Sequence, residues 1–131
     1  MSVKAKILLI EDEEMVRYSL RCALESEGHE VFEAIDGEDG VSRFKELAAQ
    51  PNPADIVITD ILMPKKHGYD AITEIRDISP ETKIITISGG GGSDFDPKAF
   101  VDMSGFLGAD RILVKPFSSE EFLAAVNDCL A

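Results

Sequence analysis

The chain holds 131 residues, with 25 Asp plus Glu against 13 Lys plus Arg and a formal net charge of −12. That length buries one hydrophobic core and leaves no room for a second folded unit. So acidic a balance argues against a nucleic-acid or anionic-membrane surface, which needs clustered basic residues to neutralise phosphate.

Cys22 and Cys129 stand far apart inside apolar helical patterns, so they read as buried free thiols of a reducing cytosol rather than as a disulfide or metal pair. No apolar run approaches the roughly 18 residues of a membrane span. Residues 1–6 are too short and too mixed for a signal peptide, so the expected location is the cytoplasm.

Lys6-Ile7-Leu8-Leu9-Ile10 is an apolar run stopped by Glu11-Asp12-Glu13-Glu14, after which Val16, Leu20, Ala23 and Leu24 recur at helical spacing as far as Gly28. That is strand, acidic loop, helix. Glu30 to Ala34 alternates weakly as a second strand, Asp36-Gly37 reads as a turn, and Val41, Phe44, Leu47 and Ala48 mark a second helix ending before Pro51. The run from Asp55 to Asp60 is a buried third strand with an acid at its last position. Gly68 opens a helix through Ile72, Ile75 and Ile78 that Ser79-Pro80 closes, and Lys83 to Ser88 is a fourth strand broken off by Gly89-Gly90-Gly91-Gly92. Pro97 suits the first turn of a fourth helix through Phe100, Met103 and Phe106, stopped by Gly108. Arg111 to Val114 is the fifth strand, and Ser118-Ser119-Glu120-Glu121 caps a last helix through Phe122, Val126 and Leu130.

Strands alternating with helices in this way predict an α/β fold, a parallel sheet covered on both faces to make three layers. In such folds ligands bind beyond the carboxyl ends of the strands. The polar residues fall there: Glu11 and Asp12 after the first strand, Asp60 after the third, Ser88 after the fourth, Lys115 after the fifth. Three acids at one edge repel and raise one another's pKa unless a divalent cation lies between them. All-oxygen ligands favour a hard ion, and Asp12 and Asp60 as direct ligands, Glu11 acting through water and a loop carbonyl near Leu62 make a set that suits Mg2+. A lysine at the end of a buried strand is costly to bury unpaired, so Lys115 is expected to face the acids, while Ser88 offers a hydroxyl donor.

Leu8-Leu9-Ile10-Glu11-Asp12-Glu13, Asp60-Ile61-Leu62-Met63-Pro64 followed by Gly68, Thr86-Ile87-Ser88-Gly89 and Val114-Lys115-Pro116-Phe117 together resemble the receiver domain of bacterial two-component response regulators. The resemblance runs from Lys4 to about Leu130 and makes residues 1–131 one receiver domain with no output domain attached. It implies a flavodoxin-like doubly wound sheet with strand order 2-1-3-4-5. It also implies that Asp60 accepts a phosphoryl group from a phosphohistidine, carried by a sensor histidine kinase or a phosphotransfer protein. Glu11 and Asp12 would then hold Mg2+, with Ser88 and Lys115 binding phosphoryl oxygens and a cis bond joining Lys115 to Pro116. Such a protein catalyses only its own aspartyl phosphorylation and dephosphorylation. Its signal passes to a downstream protein through the face of the fourth helix, fifth strand and fifth helix, with no nucleic acid or membrane involved.

Two features depart from the family. The position three before the lysine, usually aromatic, is Ile112, and the interval Gly89 to Ala109 is longer than usual and rich in glycine. Rival readings meet specific obstacles. Haloacid-dehalogenase-like phosphatases need a second aspartate where Leu62 stands, and the tetraglycine is followed by neither the third glycine of a dinucleotide fingerprint nor a Gly-Lys-Ser/Thr. His29 and His67 lack metal spacing and read as surface histidines. The remaining alternative is a receiver-like docking module that works without phosphate.

Overall fold

The computed structural model describes residues 4–51, 53–60, 68–88 and 109–131. The tetraglycine, the expected fourth helix, Leu62 and His67 lie outside the described residues, as does the side chain of Ser88. The elements are β1 (Lys6–Ile10), α1 (Glu14–Ser26), β2 (Glu30–Ala34), α2 (Gly37–Ala48), β3 (Ile56–Asp60), α3 (Gly68–Ile78), β4 (Lys83–Ser88), β5 (Arg111–Val114) and α4 (Ser119–Leu130), the last being the helix expected as the fifth.

The strands form one parallel sheet in the order β2-β1-β3-β4-β5. Side chains alternate across a strand, and here the alternation divides the core in two. Ile7, Leu9, Ile56, Ile58, Ile85 and Ile87 pack with Leu20 and Leu24 of α1 and Phe122 and Val126 of α4. Leu8, Ile10, Val57 and Ile84 pack on the other face with Phe44 and Leu47 of α2 and Ile72 and Ile75 of α3. This is why β1 and β3 read as continuous apolar runs: every residue of the central strand β3 is buried.

Local chemistry sets the helix ends. Gly28, at φ 88, takes the left-handed conformation that closes α1 without a Cβ penalty. Ser118 and Glu121 form a reciprocal capping box at the start of α4. Asp36-Gly37 is no free-standing turn: the Asp36 side chain accepts from the Asp39 N–H and caps α2, so the helix starts at Gly37.

Two further expectations are corrected. Cys22 is exposed, because it lies two residues from both Leu20 and Leu24 and so points away from the face those leucines bury. Cys129 is half-buried, and both thiols are free. His29 is a core residue, 5% exposed, because its Nδ1 accepts the Ala5 N–H at 3.0 Å and anchors the entry to β1.

Burial holds the His29 pKa below its ordinary 6.5, against a weaker opposing pull from Glu27. The folded state therefore favours the neutral ring, and its stabilising effect is complete above the unfolded-state pKa and fades as pH falls through the folded one. Thermal melts of the native chain at pH 7.5 and pH 5.5 are expected to differ by more than those of His29→Asn, whose amide oxygen keeps an acceptor near Nδ1 and does not titrate. The difference corresponds to losing one buried hydrogen bond, about 1 kcal/mol. Equal pH slopes for the two proteins would remove His29 from the acid response.

Candidate functional site

The carboxyl ends of β1 and β3 lie side by side, since Ile10 is paired with Thr59, and they bring Glu11, Asp12 and Asp60 together. One carboxylate oxygen from each residue lies within 4.8 Å of the other two. Asp60, 7% exposed, is the last residue of β3, and Thr59 beside it donates its hydroxyl to the Asp60 carbonyl at 3.0 Å. From the end of β5, Lys115 Nζ reaches Asp60 Oδ2 at 3.2 Å. The Lys115–Pro116 bond is cis.

The four residues of the Glu11–Glu14 run are not equivalent. Asp12, Glu13 and Glu14 are exposed, whereas Glu11 is 0% exposed. Its Oε1 accepts the Glu13 N–H at 3.2 Å, and its Oε2 is buried with no hydrogen-bond partner among the described residues. Burial, with the Asp60 charge second, raises the Glu11 pKa to about 8, although the Glu13 N–H and Lys115 pull the other way. That setting favours the neutral form of the carboxyl. For Lys115, burial favours the uncharged amine, but the Asp60 and Glu11 carboxylates outweigh it and lift the pKa above its usual value. The lysine is a fixed cation of this cluster.

An orphaned buried carboxylate oxygen beside two other carboxylates fits a hard divalent cation. The donor set is all oxygen, and such an ion would favour the charged carboxylate that burial disfavours.

Four of the residues singled out in the sequence, Glu11, Asp12, Asp60 and Lys115, are thus brought to one sheet edge. The strand end at Ser88 is there too, paired with Val114, while the Leu62 carbonyl falls outside the described residues. Ile112 is half-buried in β5 and paired with Thr86. Sequence reasoning missed Arg17, whose Nη1 donates to the Glu11 carbonyl oxygen at 2.9 Å. One signal was available: a cation in the first turn of a helix opposes the helix dipole and needs another partner.

A doubly wound parallel sheet with an acid triad and a strand-end lysine at its carboxyl edge defines a flavodoxin-like fold with a charged site at that edge. Comparison with known proteins narrows the class. The family model for the response regulator receiver domain matches residues 7–127, and the chain belongs to that family. It is 36% identical to the chemotaxis protein CheY of Thermotoga maritima, over 93% of this chain and 94% of that protein. It is 38% identical to the probable transcriptional regulator ycf27 of Porphyridium aerugineum over 97% of this chain, which spans 48% of that longer protein. Among solved structures, the CheX–CheY–BeF3–Mg complex from Borrelia burgdorferi superposes with a TM-score of 0.83 at 26% identity, covering 97% of this chain and 90% of that one. No helix among the described residues is long and apolar enough to cross a membrane.

Proposed function

We propose that residues 1–131 act as one phosphoacceptor domain in a two-component phosphorelay, in which Asp60 takes a phosphoryl group from a phosphohistidine and the resulting acyl phosphate alters binding of a downstream protein. The observation that carries this reading is the ion pair of Lys115 with Asp60 beside the orphaned Oε2 of Glu11. Nucleophile, cation and metal-ligand carboxylates occupy one small volume, which is the equipment phosphoryl transfer requires.

A carboxylate oxygen of Asp60 attacks phosphorus as the donor N–P bond breaks, and the imidazole leaves with the electron pair. Lys115, already on the Asp60 carboxylate, pairs with a phosphoryl oxygen as charge builds there. Ser88 donates its hydroxyl to another. Glu11, Asp12, Asp60 and the Leu62 carbonyl would hold Mg2+, which, when bound, neutralises phosphoryl charge. No substrate is turned over beyond the aspartyl phosphate itself.

A sensor histidine kinase or phosphotransfer protein is the donor. Support for a protein donor comes from the apolar groove beside Lys115, which is lined by Met15, Val16, Leu20, Pro116 and Phe117. The output passes through β5, α4 and the expected helix that precedes them. Val114, exposed on β5, supports that choice. The two free thiols suit a cytoplasmic setting, and the formal charge of −12 disfavours direct nucleic-acid or membrane contact.

The test is an amide NMR titration with Mg2+ and then beryllofluoride, a stand-in for the aspartyl phosphoryl group. Shifts at Asp12 and Asp60 are expected with Mg2+, and beryllofluoride is expected to act only when Mg2+ is present. A chain that responds to neither would be a phosphate-independent docking module.

A further inference from the structure

Arg17 stands outside the acid and lysine cluster, yet it joins two elements that determine where the cluster lies. Its Nη1 donates to the Glu11 carbonyl oxygen at 2.9 Å, and its Nε lies 3.6 Å from Glu33 Oε1 on β2. The Glu11 N–H donates to the Ala34 carbonyl at 3.0 Å, also at the end of β2. Both backbone polar groups of Glu11 are therefore tied to β2, one directly and one through the guanidinium. A second arginine, Arg21, pairs with Glu33 Oε2 at 3.1 Å from the other side, and its hydrogen bonds and ion pairs among the described residues are with Glu25 and Glu33.

We infer that Arg17 is a positioning residue: by holding the Glu11 backbone against β2 it keeps the Glu11 and Asp12 carboxylates beside Asp60 and so sets the affinity of this cluster for a divalent cation. The inference rests on the metal-binding reading proposed above. The need for such a restraint follows from electrostatics. Like charges brought together at a half-dry edge repel, and the loop would relieve that repulsion by turning Asp12 further into solvent unless its backbone were held. A planar guanidinium bonds a carbonyl and a carboxylate at once, which a lysine ammonium on a flexible stem does poorly.

The sign of the effect separates positioning from charge. Deleting a nearby cation should by electrostatics alone tighten Mg2+ binding, whereas deleting a restraint should weaken it. The experiment is an Mg2+ titration followed by amide shifts on the native chain, Arg17→Ala, Arg21→Ala and Asp60→Asn, with thermal melts of each. Arg17→Ala is expected to bind Mg2+ about tenfold more weakly, as removal of an outer partner of a metal ligand generally does, and Arg21→Ala to stay within about twofold of native. If Arg17→Ala fails to fold, Arg17→Lys carries the test, since it keeps the charge and loses the fork; weakening is again expected. Native or tighter affinity in the Arg17 variant, with binding lost in Asp60→Asn, would overturn the positioning role and leave the metal site standing. Absence of any Mg2+ response in the native chain would instead overturn the metal site, and the role of Arg17 with it.

Discussion

Asp60→Asn is expected to abolish phosphorylation while leaving the fold intact. The substitution keeps the size and planarity of the side chain at the end of β3, so the packing of a residue only 7% exposed is preserved. It removes the one property that the proposed transfer step would use. An ionised carboxylate oxygen can attack phosphorus and become the bridging oxygen of an acyl phosphate, whereas a neutral amide is a poor nucleophile. It also releases Lys115, which now pairs with Asp60 Oδ2 at 3.2 Å, to its weaker attraction for Glu11. Incubation with Mg2+ and a phosphohistidine donor, or a small acyl phosphate, should add a phosphoryl mass to the native chain and none above background to the variant. Equal labelling of the two proteins would place the acceptor elsewhere and end the assignment of Asp60. The companion variant Lys115→Met keeps the nucleophile and is expected to label more slowly, because one donor to the developing phosphoryl charge is gone.

The site was legible in the sequence to the extent that backbone topology alone determines it. A buried parallel strand is an apolar run, so an acid at its last position, as in Asp60, marks the strand end without knowledge of any contact. The same holds for Lys115 after β5. Glu11 and Asp12 were picked out of the Glu11-Asp12-Glu13-Glu14 run and do lie beside Asp60, but that Glu11 is the buried one while Asp12 stays exposed could not be read. The Glu11 N–H reaches the Ala34 carbonyl and Arg17 reaches back to the Glu11 carbonyl. Both are contacts between elements, and composition carries no trace of them. His29 and Cys22 were misjudged for a related reason. One bond to the Ala5 N–H buries a residue that local polarity would expose, and a position two residues from each of two leucines exposes a thiol that average burial would hide. Asp36 was read as part of a turn because a capping aspartate and a turn aspartate look alike until the following N–H groups are located.

The close approach of α2 to β1 leads to the other large effect, Gly40→Val. Gly40 is buried in α2, and a Cβ built there would lie 2.8 Å from Ile10 Cγ1 and closer still to Ile10 Cδ1. Ile10 is itself fully buried among Phe44, Val57 and Ile72, so it has nowhere to retreat. Overpacking a dense core costs about 1–3 kcal/mol, and two further methyl groups at the contact put valine at the upper end of that range. The helix-propensity gain over glycine is only a few tenths of a kcal/mol for valine, too small to offset it. A loss of about 3 kcal/mol corresponds to a fall in melting temperature of about 10 °C for a domain of this size. Gly40→Ala meets the same first collision but gains about 1 kcal/mol of helix propensity, so its loss should be smaller. Ile10→Val supplies the internal control. It deletes the nearest atom, Cδ1, at a cost of about 0.5–1.5 kcal/mol, and in that background Gly40→Ala should cost less than it does alone. Because Ile10 directly precedes Glu11, displacement of β1 at this point is also expected to weaken Mg2+ binding in Gly40→Val. Additive melting shifts across the double-mutant cycle would mean that the glycine is not required by Ile10.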